Sequence, residues 1–255
     1  MKRFLFSLLA VMTLVGCAEN LAPIDYVDPM IGTGFHAHTY PGATTPYGMV
    51  QLSPDTRVGG WDACSGYHYS DNTILGFSPS HLSGTGCADL SDILFYPTVK
   101  AVKAVDGAYE CPAHIFSHKN EVASAGYYAV YLDTLGCLAE MTADQHTGVH
   151  RYTFNHSKEA RLSLDVTSAA GDNGCTDGFA SFDEETGLLT GGAVLRAVFS
   201  ERYDGLPVYF AARADKKIKS CTITGNDTNL IADLNFGSLQ NESVELNVAI
   251  SFVSV

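Results

Sequence analysis

The last thirteen residues, "SVELNVAISFVSV", alternate cleanly: Val244, Leu246, Val248, Ile250 and Phe252 fall on one side, and Glu245, Asn247 and Ser251 on the other. A period of two is the mark of a half-buried β-strand, since successive side chains point to opposite faces. Leu162, Leu164 and Val166 alternate with Ser163 and Asp165 in the same way, and "HRYTF" and "GYYAVYL" are rich in the β-branched and aromatic side chains that strands favour. Turn signals separate the runs: Asp106-Gly107, Glu185-Thr186-Gly187 and Gly225-Asn226-Asp227. No stretch sustains a helical period with caps. The pattern predicts an all-β chain, an antiparallel β-sandwich forming one domain over residues 25–255. A chain of this length buries roughly 70–75% of its unfolded surface, enough for a core without staples.

Residues 26 to about 92 differ in character from the rest. Here short apolar runs are separated by segments rich in Gly, Pro, His and aromatic residues: "IGTGFHAHTYPGATTPYGMVQLSPDTR", "GGWDACSGYHYSD" and "GFSPSHLSGTGCADLSDILFYP". Glycines and prolines fix unusual backbone turns, so these read as rigid loops.

The first 24 residues stand apart as a leader and short linker. Lys2 and Arg3 precede an apolar run from Phe4 to Val15 that is too short to span a bilayer, and "LVGC" ends at Cys17. The four-residue box resembles the lipobox of bacterial lipoproteins, which makes Cys17 the expected lipidated residue and the chain an exported lipoprotein of the outer membrane, on its periplasmic face or at the cell surface. An ordinary secretory signal is the alternative reading. The formal charge is −13, and loss of Lys2 and Arg3 makes it more negative still. Such a surface repels phosphate backbones, so no nucleic-acid partner is expected. Membrane attachment then comes from lipid and not from basic residues. Besides Cys17 there are Cys64, Cys87, Cys111, Cys137, Cys175 and Cys221, with no CxxC or zinc-finger spacing. Export permits disulfides, but the spacing does not assign pairs.

Chemistry concentrates in the loops. Trp61, the only tryptophan, sits beside Asp62 and shortly before Tyr67 and His68. Rigid loops presenting aromatic rings and short polar tips suit sugars, whose C–H faces stack on rings while hydroxyls need donors and acceptors. Trp61 reads equally as a core residue or a ligand platform. His36 and His38, at i and i+2, point the same way if extended; a metal site is one reading, satisfied loop histidines the other, and no third ligand stands at standard spacing. Asp89 and Asp92 are close in sequence, which is no sign of a glycosidase pair flanking a bond, and they read as turn residues.

"YVDPMIGTG", "HTYPGATTPYGMVQLSPDTR", "GWDACSGYHYSD", "GFSPSHLSGTGCADLSDILFYP", "GYYAVYLD" and "TGVHRYTF", in this order, resemble the N-terminal domain of glycoside hydrolase family 92, the exo-α-mannosidases. The resemblance covers Tyr26 to Val255. It implies a galactose-mutarotase-like supersandwich that packs on a C-terminal (α/α)6 barrel. It also implies calcium-dependent, inverting hydrolysis of terminal mannose, α-1,2 linkages being the expected class, on N-glycans or mannans. The acid, the base and most calcium contacts belong to the barrel, so no catalytic residue and no metal is assigned to this chain. The loops are expected to complete the mannose site with Trp61, Asp62, Tyr67, His68, His36, His38 and His81. His146 and Pro79 depart from the residues common in the family at those motifs. Because the chain ends on a strand, the natural protein is expected to continue into the barrel. A non-catalytic carbohydrate-binding module and an inactive fragment of a truncated gene are the alternatives.

Overall fold

Two strands far longer than the rest organise the computed structural model, which describes residues 21–57, 59–102, 104–105, 108–109, 112–171 and 173–255. The leader with Cys17, the Asp106-Gly107 turn and Cys111 lie outside the described residues. In chain order the strands are β1 Ala43–Thr44, β2 Gln51–Asp55, β3 Thr73–Ile74, β4 Gly76–Ser78, β5 Leu94–Thr98, β6 Ala104–Val105, β7 Ala108–Tyr109 and β8 His114–Ser124. They continue as β9 Tyr127–Leu132, β10 Cys137–Ala143, β11 Thr147–Asp165, β12 Gly174–Asp183, β13 Leu188–Arg196, β14 Leu206–Ala214, β15 Ser220–Asn226 and β16 Asn229–Ser251. Only short 3-10 turns supplement them among the described residues.

β11 and β16 run antiparallel from Thr147↔Ala249 to Asp165↔Ile231 and form a spine. Each changes its outer neighbour along its length. β11 pairs with β10 over its first half and with β5 over its last five residues. β16 pairs with β15 at its start and with β14 at its end. One antiparallel hydrogen-bonded network thereby curls over a single core and makes the sandwich. The change of neighbour coincides with a register shift between Ser157 and Arg161. Bulges bend a strand and increase its twist, which is what lets one strand serve both parts of the sandwich. Opposite the bulge Gly237 has positive φ, the conformation that glycine tolerates best.

The alternation predicted at the C-terminus is present: Val244, Leu246, Val248 and Ile250 are buried and Asn247 is exposed. At Leu162–Leu164 the outcome differs, because Ser163 is as buried as its apolar neighbours. There β11 is an interior strand, hydrogen-bonded between β5 and β16, and side chains on both of its faces are buried. Ser163 is accommodated by donating to Asp233 Oδ1 at 2.9 Å, while Arg161 donates to Asp233 Oδ2 at 2.6 Å. A buried polar group is tolerated when its hydrogen bonds are made. The Gly225-Asn226-Asp227 turn also shifts by a residue: β15 runs through Asn226, whose Oδ1 accepts from the amides of Thr228 and Asn229 at 3.0 Å each. Glu185-Thr186-Gly187 is a turn as read, with Asp183 Oδ1 accepting from the amides of Glu185 and Thr186.

The short strands hang on this spine in series. β5 joins β11, β4 joins β5 at Phe77↔Phe95, β2 joins β4, and β1 joins β2. The Gly-rich loops are the connections among these strands and the segment that precedes them, so the spine fixes where the loops stand. Cys64, Cys87, Cys137, Cys175 and Cys221 carry no disulfide among them. Burial pushes the thiols of Cys137 and Cys175 well above their ordinary range, which makes them packing atoms and not nucleophiles.

The face assignment of β16 is testable by a pair of substitutions. Leu246→Ala is expected to lower the unfolding free energy by about 2–5 kcal/mol. Asn247→Ala is expected to change it by less than about 0.5 kcal/mol. Urea unfolding followed by circular dichroism measures both, and equal effects would contradict the assigned faces.

Candidate functional site

Residues 28–42, 56–72 and 79–92 form three loops that brace one another through backbone groups. Gly84 N–H donates to His38 O at 2.6 Å, Tyr69 N–H to Thr33 O at 2.8 Å, and Ser65 Oγ to Thr39 O at 3.2 Å. Within the second loop, Thr56 N–H donates to Gly66 O at 2.8 Å. Gly66 has φ +77°, and a Cβ there would stand 2.3 Å from Asp55 Oδ1, so only glycine lets the loop lie on the carboxylate beneath it.

Trp61 opens a short 3-10 turn, Trp61–Ala63, and the residue is 58% exposed. Its Nε1–H donates to Gly86 O at 2.9 Å, which ties the second loop to the third. Gly86 has φ +64°, and a Cβ on it would press on Trp61 Nε1 at 3.2 Å. The imidazoles of His36 and His38 flank the indole, with ring centroids 4.8 and 4.5 Å away. Both reach the same carboxylate oxygen: Asp62 Oδ1 lies 2.6 Å from His36 Nδ1 and 3.3 Å from His38 Nε2. Hydrogen bonding from His36, supported by His38 and by the nearby His68, holds the Asp62 carboxyl below the usual carboxylate range, so it is an anion at neutral pH. His68 lies alongside, with Nε2 3.0 Å from Phe35 O and Nδ1 2.8 Å from Ser70 Oγ.

Trp61, Asp62, His36, His38 and His68 are thus brought together. His36 and His38 meet by another route than extension, since His38 sits at φ +57°, and the third side chain close to both is Asp62, supplied by the next loop. Tyr67 and His81 are placed differently. Tyr67 is 1% exposed, and its hydroxyl donates to Glu121 Oε1 at 3.0 Å. His81 is 2% exposed; its Nδ1 stands 2.8 Å from Gln51 O and its Nε2 3.1 Å from Asp55 Oδ1. Asp55 also accepts from the Ser78 hydroxyl at 2.6 Å and the Ser78 amide at 3.1 Å. Both side chains therefore support the loops from below. An aromatic or imidazole ring in a loop sequence reads the same whether it points out or in, and only packing separated the two cases.

Tyr69 and His118 were not singled out by the sequence, yet they stack with centroids 4.1 Å apart and planes 16° from parallel. They line a cleft of about 420 Å³ together with Gly34, Ile31, Asp28 and Glu121. Glu121 is held by Tyr67, by Tyr128 at 2.7 Å and by His118 at 2.5 Å. His118 and Glu121 come from β8, dozens of residues after the loops, and carry no local signal of this role.

Asp89 and Asp92 are structural. Asp89 Oδ2 accepts from the amides of Phe199 and Ser200 at 2.6 and 3.3 Å, at the start of the 3-10 turn Ser200–Tyr203. Asp92 is buried, accepts from Ser80 through Oδ1, and has no partner at Oδ2. Desolvation pushes its pKa up to about 6.

An antiparallel sandwich whose loops gather one indole, three imidazoles and a carboxylate, with His38 buried among them, is an all-β domain with a cluster of aromatic and polar side chains at its loops. The N-terminal domain of glycosyl hydrolase family 92 matches residues 26–251, and the chain belongs to this family. The family GH92 α-mannosidase BT3965 of Bacteroides thetaiotaomicron, solved with mannoimidazole, is 32% identical with a TM-score of 0.78, over 91% of this chain and 33% of that one. The GH92 inverting mannosidase BT2199 of the same organism shares the fold at 22% identity and a TM-score of 0.70, over 91% of this chain and 32% of that one. An uncharacterized secreted glycosidase of Arthroderma benhamiae is 31% identical over 141 residues, which are 52% of this chain and 17% of that protein. The chain thus spans about a third of the solved relatives' length.

The pKa of Asp92 sets a pH dependence. Its folded-state value is raised above the unfolded one, so its contribution favours folding below about pH 4 and is lost as pH rises through about 6. Asp92→Asn is therefore expected to gain stability relative to wild type between about pH 4.5 and pH 7.5. Thermal melts of both proteins across that range check the trend, and a constant difference would refute it.

Proposed function

We propose that this chain is the substrate-facing N-terminal domain of an exported exo-α-mannosidase, contributing pocket walls to a site whose acid and base come from a further, barrel-type domain. The observation that carries the reading is the exposed indole of Trp61, fixed by Gly86 O and set beside the ionised Asp62. An aromatic plane next to a charged acceptor matches the two demands of a sugar, an apolar C–H face and a ring of hydroxyls. Exposed Phe35 and Ile31 on the first loop give the same end of the domain apolar surface for a second domain to cover. Family membership, and the mannoimidazole complex of a relative 32% identical, favour mannose as the sugar.

In the inverting reaction proposed for the complete enzyme, an acid protonates the leaving oxygen and a base activates water on the opposite face of the sugar. This domain's part is to hold and orient the terminal residue: Trp61 stacks, Asp62 accepts from hydroxyls, and His36 and His68 border them. Calcium, implied by the family resemblance, is not suited by the donors brought together here, because it takes six to eight oxygens. It is assigned to the further domain, and α-1,2 linkages on N-glycans or mannans remain the proposed substrate class. The lipid anchor at Cys17 is likewise proposed, as is export, which agrees with the relative described as secreted.

The test is kinetic. The chain alone is expected to release no mannose from α-mannosides. In the enzyme that includes the further domain, Trp61→Ala is expected to lower kcat/KM about tenfold or more, the loss of roughly 1.5 kcal/mol of ring contact. Unchanged kcat/KM in Trp61→Ala would overturn the assigned role, and mannose release by the chain alone would overturn the division of labour.

A further inference from the structure

We infer that His36, His38 and Asp62 form a binding site for one divalent transition-metal ion of the zinc class. The inference stands on donor geometry and does not depend on the mannoside reading. Two loops bring the three side chains together, and one ligand atom from each lies within 4.8 Å of the others. Donors sharing a tetrahedral zinc ion, at 2.0–2.2 Å bonds, stand about 3.4 Å apart. Closing the present triangle needs a movement of about 1.5 Å at most, and the His36 side chain is 65% exposed, so solvent and not packed protein lies on its outer side.

The other two ligands are held more firmly. The His38 side chain is 4% exposed and its backbone is pinned by Gly84 N–H. Asp62 lies in the turn that Trp61 anchors to Gly86. Two imidazoles and a carboxylate suit zinc, cobalt, nickel or copper and leave a coordination position for water. They do not suit calcium, which needs more oxygens. The formal charge of −13 draws cations to the molecule. An ion there takes up Asp62 Oδ1 and sits beside the exposed indole, so it competes with any ligand stacked on Trp61.

The single tryptophan supplies the test, because its ring is 4.5–4.8 Å from both imidazoles. Tag-free, chelator-treated full chain is titrated with Ni2+ or Co2+, open-shell ions that quench indole emission, and Zn2+ is then added as competitor. The expected result is saturable one-to-one quenching, reversed by Zn2+ and by a chelator but not by excess Ca2+. Affinity should fall at least about tenfold in both His36→Ala and Asp62→Asn. Exposed His36 bears little of the packing, so His36→Ala stays folded, and circular dichroism of each variant verifies this. Quenching that never saturates, or affinity equal to wild type in a folded His36→Ala, would overturn the site, the latter placing the ion on other ligands.

Discussion

The antiparallel pairing of β11 with β16 is the constraint on which the remaining structure depends. These two strands supply the ladder onto which β5, β10, β14 and β15 add, each on a different stretch. An antiparallel register cannot slip by one residue without moving every side chain to the opposite face. The alternation of Val244, Leu246, Val248 and Ile250 against the buried His150, Tyr152 and Phe154 row therefore holds the pairing in one register. The bulge at Ser157 to Arg161 is the one permitted irregularity, and it is where the two strands exchange neighbours.

The loops inherit their positions from that spine through a short relay of strands. β2, β4 and β5 are only three to five residues long, and alone they would hold nothing in place. What stiffens the rim is the buried polar network beneath it, where Asp55 accepts from Ser78 and faces His81 while Gly66 lies against it. Above this floor, the bonds from Gly84 to His38 and from Trp61 to Gly86 lock the loops to one another. A large aromatic ring can then remain exposed without collapsing onto the core.

The fold class was legible because β-alternation is a local property: each strand states which face it buries. It failed at Ser163, which is as buried as its neighbours and is satisfied by Asp233, a partner remote in the chain. The loops were legible as rigid from their glycines and prolines, and five of the seven residues expected at the site cluster together, His38 buried among them. Tyr67 and His81 do not, since a ring that braces a loop from below and one that faces ligand have the same sequence neighbours. The His118–Tyr69 stack and the Tyr67–Glu121 hydrogen bond escaped notice for the complementary reason, that their partners lie about fifty residues apart.

By itself the sequence determined the antiparallel β architecture, the concentration of chemistry in three loops, and the family to which the chain belongs. All three are written in patterns of neighbouring residues. Tertiary structure alone decided which rings point outward, that Asp62 joins His36 and His38, and that Asp89 and Asp92 are buried supports. Those outcomes follow from the meeting of segments far apart in the chain, where burial, shared hydrogen bonds and excluded volume select among side chains that the sequence leaves equivalent.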